Sequence, residues 1–169
     1  MANTIVLYQV DAFTRHLFRG NPAAVCVLTK PLPTALCQAI AQENHLSETA
    51  FIWSVGQDYC IRWFTPACEV DLCGHATLAA AYVVGEFLEP GRQMVLFHSR
   101  QELLRVRKQG DWWELDFPRW LVTPASATEH LIAGLGTTLQ ETWQTPRDLL
   151  VVLQLSFLRL SYNERVARE

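Results

Sequence analysis

The sequence predicts an α+β fold in which several strands wrap about one buried helix, and three observations carry that prediction. Residues 76–88 are apolar on every side apart from Thr77, Gly85 and Glu86, as expected of a helix enclosed by other elements. Short segments rich in Val, Ile, Tyr, Phe and Trp recur on both sides of that helix, separated by turn residues. The chain has 169 residues, 50% of them hydrophobic and 18% charged, so it is long enough to bury a core without disulfide or metal staples.

In chain order, residues 4–13 and 23–28 read as strands divided by the break Gly20-Asn21-Pro22. Leu36, Cys37, Ile40 and Ala41 fall at helical spacing within 33–44, where Pro33 is placed to open an amphipathic helix. Residues 49–54 and 60–64 are β-branched and aromatic on either side of Gly56-Gln57-Asp58 and should pair as a hairpin. After the central helix come strands at 94–98, 103–108 and 112–116, the last two joined across Gln109-Gly110-Asp111. Beyond Pro118 the pattern weakens: 125–133 is a candidate helix with Ser126 near its cap, 149–153 a short strand, and 155–169 a tail without a partner element.

Composition excludes several classes of function. A net charge of −3 with no Lys/Arg block lacks the footprint of a nucleic-acid binder. The longest nearly apolar run, 76–84, falls far short of the ~20 residues of a membrane span. Five irregularly spaced cysteines fit a reducing cytoplasm better than a secreted disulfide framework, and residues 1–10 do not read as a signal peptide. No P-loop, Gly-x-Ser-x-Gly elbow or His-Glu-x-x-His occurs, which sets aside nucleotide and zinc-protease readings, and the spacing of Cys60, Cys68, Cys73 and His75 does not match structural zinc sites, so no metal is expected.

Three features carry chemistry. Cys73-Gly74-His75 opens the central helix without Ser, Thr, Asp or Asn at the cap, leaving backbone N–H groups for an anion such as a carboxylate, or for water. Glu48 heads a strand on the face of Ala50 and Ile52, where partial desolvation would raise its pKa and suit it to proton transfer; a simply exposed glutamate is the alternative. Cys73 beside the helix start is either a thiol of lowered pKa, acting as nucleophile or base, or a small buried hydrophobe.

The segments 8–14 (YQVDAFT), 18–25 (FRGNPAAV), 47–51 (SETAF) and 62–66 (RWFTP), the last running into 69–78 (EVDLCGHATL), occur in one order along the chain. In these the sequence resembles the PhzF-like (phenazine biosynthesis-like) family, relatives of diaminopimelate epimerase in fold, over roughly residues 4–153. The resemblance implies a diaminopimelate epimerase-like lobe, a mixed β-sheet or barrel around a central helix, in a two-lobed isomerase or epimerase that needs no cofactor. It implies that Glu48 is the acid/base glutamate and His75 the Gly-His histidine, with Cys73 at the position of a catalytic thiol in the epimerase relatives. Gly74, His75 and Asn21 would bind substrate.

The resemblance also implies boundaries: 1–118 as the N-terminal lobe, 119–154 as its continuation or the start of a crossover, and 155–169 as a divergent tail. The family's second-lobe stretch, Glu-Asp-Pro-x-Thr-Gly-Ser-Ala-like, has no counterpart here, so the chain reads as truncated. The resulting expectation is a proton-moving isomerase for a small carboxylated molecule, inactive as an isolated half and prone to self-association or homodimer formation. The alternatives are a non-catalytic remnant or binding lobe and, resting only on Cys68 and Cys73, a thiol-redox or metal protein.

Overall fold

Strands β1 (Val6–Ala12), β2 (Asn21–Leu28), β3 (Glu48–Val55) and β4 (Asp58–Phe64) lie side by side, followed by β6 (Met94–His98), β7 (Leu103–Gln109) and β8 (Trp112–Asp116). The short β5 (Glu69–Val70) pairs with β4 and completes an eight-stranded sheet. The structure, a computed structural model, describes residues 4–117, 119–146 and 148–153, and the chain divides into two units, Met1–Phe117 and Pro118–Glu169.

Pairing is antiparallel except at two joins, β2 with β3 and β4 with β6. Each parallel join needs a crossover, and each crossover contains a helix. Helix α1 (Thr34–Asn44) links β2 to β3, and helix α2 (Gly74–Val83) lies between β4 and β6 in the chain. The alternation of each strand then divides its side chains between two cores. Val25, Ala50, Ile52, Ile61, Trp63 and Phe97 pack inward on α2, whereas Cys26, Phe51 and Phe64 pack outward with Cys37 and Ala41 of α1. This double cover explains why β2 and β3 are buried almost without alternation.

The predicted hairpin, central helix and later strands all form, with instructive differences at their ends. Strand β2 starts at Asn21 because the first residue to meet β3 is Ala23, so Pro22 has no β3 carbonyl to answer with its missing N–H. The central helix starts at Gly74, two residues before the predicted 76, and α-helical bonding stops at Val83. It passes into a π-helical turn, Val84–Leu88, in which Glu89 N donates to Val84 O at 2.7 Å. The Trp113 ring packs so close to Gly85 that a Cβ there would lie 2.4 Å from it. Enclosure of the helix is incomplete, since Tyr82 and Phe87 are exposed and meet edge to face, and Phe87 also meets Tyr8.

In the second unit β9 (Thr123–Pro124), β10 (Leu139–Gln144) and β11 (Leu149–Leu153) form an antiparallel three-stranded sheet, and α3 (Glu129–Leu135) follows β9. The helix is shorter than the predicted 125–133 and displaced toward the C-terminus, because Thr128 rather than Ser126 caps it, accepting from Leu131 N. Sequence reasoning missed β9 and β10; Leu139–Gln144 is polar at four of its six positions. The tail 155–169 lies outside the described residues. Among the described residues no helix is long and apolar enough to cross a membrane.

Candidate active site

Two neighbouring ends of the inner core meet at Glu48 and His75. Glu48 opens β3 in register with Ala23 of β2, and the β3 alternation aims it toward α2, on the same side as Ala50 and Ile52. His75 stands in the first turn of α2. The carboxylate Oε2 lies 3.3 Å from the imidazole Nε2, with the Glu48 side chain 22% exposed and that of His75 9% exposed. Ser47 Oγ is 3.4 Å from the same nitrogen and donates weakly to Pro22 O at 3.5 Å.

The opposite nitrogen of the ring faces Cys73, whose Sγ is 3.4 Å from Nδ1. Burial pushes the Cys73 thiol up to about 11, outweighing the helix N–H groups of Ala76 and His75 that act to lower it. Of the two readings of Cys73, burial favours the small buried hydrophobe over a thiol of lowered pKa: the sulfur sits inside the core edge, where loss of water exceeds the pull of the helix dipole. Burial likewise pulls the His75 imidazole below its usual value, opposed by the Glu48 carboxylate and a hydrogen bond to Pro22. At neutral pH the two are thus a thiol and an uncharged imidazole.

No side chain makes a capping hydrogen bond at the start of α2. The Cys73 sulfur lies near enough to the His75 and Ala76 N–H groups to affect its ionisation without meeting hydrogen-bond geometry, so those donors retain capacity for an anion. The Phe117 ring lies close over Gly74: a Cβ there would come within 2.8 Å of it and would push the ring aside. Phe13, its ring centroid 6.5 Å from that of His75, flanks the other side with φ of +66°, unusual for a bulky residue. Asn21 is exposed at the start of β2, where it pairs with Ala12.

Glu48, Cys73 and His75 offer donor atoms within 4.8 Å of one another, the spacing of a possible cation site. Cys73 and Glu48 approach opposite ring nitrogens, however, so in this rotamer the three form a chain and not a cage. The cysteine cluster weighed from sequence does not assemble: Cys68 is exposed and Cys60 is partly buried on β4.

Sequence reasoning missed Ser47, Pro22, Phe13 and Phe117 as site neighbours. Phe117 had a signal in strand parity, since Trp113 and Leu115 on alternate positions pack against the central helix. Ser47 had adjacency to Glu48. Pro22 had none, because its place depends on the β2–β3 register.

The sequence profile described as "Phenazine biosynthesis-like protein" matches residues 10–154. The chain belongs to the phenazine biosynthesis-like family. An uncharacterized isomerase of Pseudomonas aeruginosa is 45% identical over 148 residues, covering 88% of this chain and 57% of that protein. The crystal structure of a PhzF-family phenazine biosynthesis protein from Enterococcus faecalis superposes with a TM-score of 0.80 at 47% identity, over 88% of this chain and 56% of that one. A predicted epimerase of Pseudomonas aeruginosa, with a TM-score of 0.61 at 24% identity, covers 75% of this chain and 46% of its own and shows the epimerase-like fold alone. This phenazine biosynthesis-like chain thus spans a little over half the length of the curated relatives it matches.

Proposed function

We propose that this lobe performs the proton-transfer chemistry of a cofactor-independent isomerase or epimerase acting on a small carboxylated substrate. One observation carries the reading: a carboxylate, Glu48, lies 3.3 Å from a neutral, buried histidine beside a helix start without a capping side chain. Glu48 takes a proton from carbon and returns it at another position, while His75 steadies the carboxylate. The N–H groups of Gly74 and His75 hold the substrate's own carboxylate, and Asn21 at the start of β2 is proposed as a further contact. Relatives named as isomerases support the reaction class, and five free cysteines are compatible with work in a reducing cytoplasm.

The matched relatives are nearly twice as long as the aligned segment, which favours a second reading for this 169-residue chain on its own. We propose that in them residues outside the aligned segment supply further donors. Loss of a single such donor costs on the order of 100-fold, so the isolated chain is a binding lobe with little turnover. The exposed Phe13, Leu17 and Phe18 are proposed to drive its self-association.

Proton exchange from heavy water into a panel of small carboxylic acids, run with solution mass, tests both readings. Exchange that disappears in Glu48→Gln supports the proton carrier, and exchange by a strict monomer overturns the inactive-half reading. Carboxylate binding that is unchanged in Glu48→Gln, without exchange at any concentration, favours the binding lobe.

A further inference from the structure

We infer that Cys73 is a positioning residue: its thiol proton is donated to Nδ1 of His75 and holds the ring as a neutral Nε2–H donor aimed at Glu48. The inference deepens the reading of Glu48 as proton carrier and rests on it for its meaning, but the hydrogen-bond chain exists without substrate and can be observed without one.

The donors and acceptors around the ring permit one consistent assignment. Around Nε2 stand the Glu48 Oε2 at 3.3 Å and the Ser47 hydroxyl at 3.4 Å, the hydroxyl itself donating to the Pro22 carbonyl at 3.5 Å. The carboxylate can only accept, and the Ser47 hydroxyl, which donates to Pro22, is left to accept, so Nε2 carries the hydrogen. Nδ1 is then the acceptor, and the group facing it is the Cys73 sulfur at 3.4 Å, in a buried contact. A thiol kept protonated by burial supplies the hydrogen. Among the described residues, Glu48 from β3 and Cys73 from the head of α2 are the titratable groups in contact with the ring; the other neighbours are Ser47, Pro22 and the Phe13 ring.

The arrangement has a chemical consequence. An imidazole free at Nδ1 could take a second proton and become a cation against Glu48, lowering the basicity that the carboxylate needs in order to remove a proton from carbon. A thiol donor at Nδ1 stabilises the neutral ring and blocks that path. The Nε2–H then faces Oε2 at ion-pair distance and leaves Oε1 as the atom that exchanges protons with substrate.

Long-range proton–nitrogen correlation NMR of the full chain, labelled with ¹⁵N-histidine and assigned with His75→Gln, reads the state of both ring nitrogens. Unsubstituted protein should show His75 as the Nε2–H tautomer, titrating below the usual ~6.5 of a free imidazole. Cys73→Ala should raise that midpoint by about one unit, since a hydrogen bond to the neutral form has been removed, and Cys73→Ser, which keeps a donor, should restore the original titration. An Nδ1–H tautomer in the unsubstituted chain would overturn the inference without any variant having to fold. A Cys73→Ala chain whose His75 titrates as in the original would overturn it as well. Neither result bears on whether Glu48 exchanges protons with a substrate, so the two readings fail separately.

Discussion

Cys73 shows how burial decides chemistry that residue type leaves open. A cysteine at a helix start is commonly a thiolate, yet here the thiol is raised to about 11 by desolvation. Thiol-specific reagents at neutral pH should therefore label the exposed Cys68 first and leave Cys73 unreacted in the native state, which mass spectrometry of partly modified protein would read. Gly20 is as constrained sterically, because a Cβ would lie 2.3 Å from the Ala12 carbonyl oxygen. Gly20→Ala should cost about 2 kcal/mol by forcing the β1–β2 loop to move, measurable in urea unfolding. His75 and Glu69 set the acid side of the stability profile. Both are held below their usual values in the folded chain, His75 by burial and Glu69 chiefly by its hydrogen bonds from Arg62, so the unfolded chain binds protons first. Stability should be full near neutral pH, decline below about pH 6.5 as unfolded His75 protonates, fall further below about pH 4.5 as Glu69 and Glu89 titrate, and decline again in alkali, where the unfolded chain ionises Cys73 and Tyr59 first.

Elements are joined here by a few polar pins as well as by the core. Arg62 of β4 donates to both oxygens of Glu69 on β5, at 2.7 and 2.8 Å, and to Thr34 Oγ1 of α1 at 2.8 Å. Arg100 adds a further bond to the same carboxylate. Arg62→Ala leaves a mostly buried carboxylate without its bidentate partner and should cost about 3 kcal/mol, whereas Arg100→Ala, at an exposed side chain, should cost under about 1 kcal/mol. Chemical denaturation of both variants tests the contrast. The central helix depends on small residues: Ala76, Ala79, Ala80 and Ala81 are all buried, which lets strands on several sides approach its backbone.

At the scale of the whole chain, the two units differ in how they are stabilised. The first has a core of fully buried side chains on both faces of β2–β4, while no described residue of the second is fully buried. Amide hydrogen exchange should therefore be slowest in β2, β3 and β4 and fast throughout β9, α3, β10 and β11. Uniform protection across both units would contradict this.

The identity of the strands and of the buried helix was legible in the sequence because each depends on local periodicity: alternation over five to eight residues, or an apolar surface all round a helix. The inward aim of Glu48 was legible for the same reason, being set by its parity with Ala50 and Ile52. Helix ends were less so, since the start at Gly74 and the π-helical turn after Val83 depend on the backbone partners of Cys73 and on the Trp113 ring pressed against Gly85. What only the tertiary structure decided were the relations between distant segments. The parallel β2–β3 register puts Pro22 and Ser47 beside His75, the turn of the chain after β8 lays Phe117 on Gly74, and burial of Cys73 and His75 sets their protonation. A sequence carries the type and spacing of its groups, but the free energy of a proton or a charge depends on how much water the surrounding fold has removed.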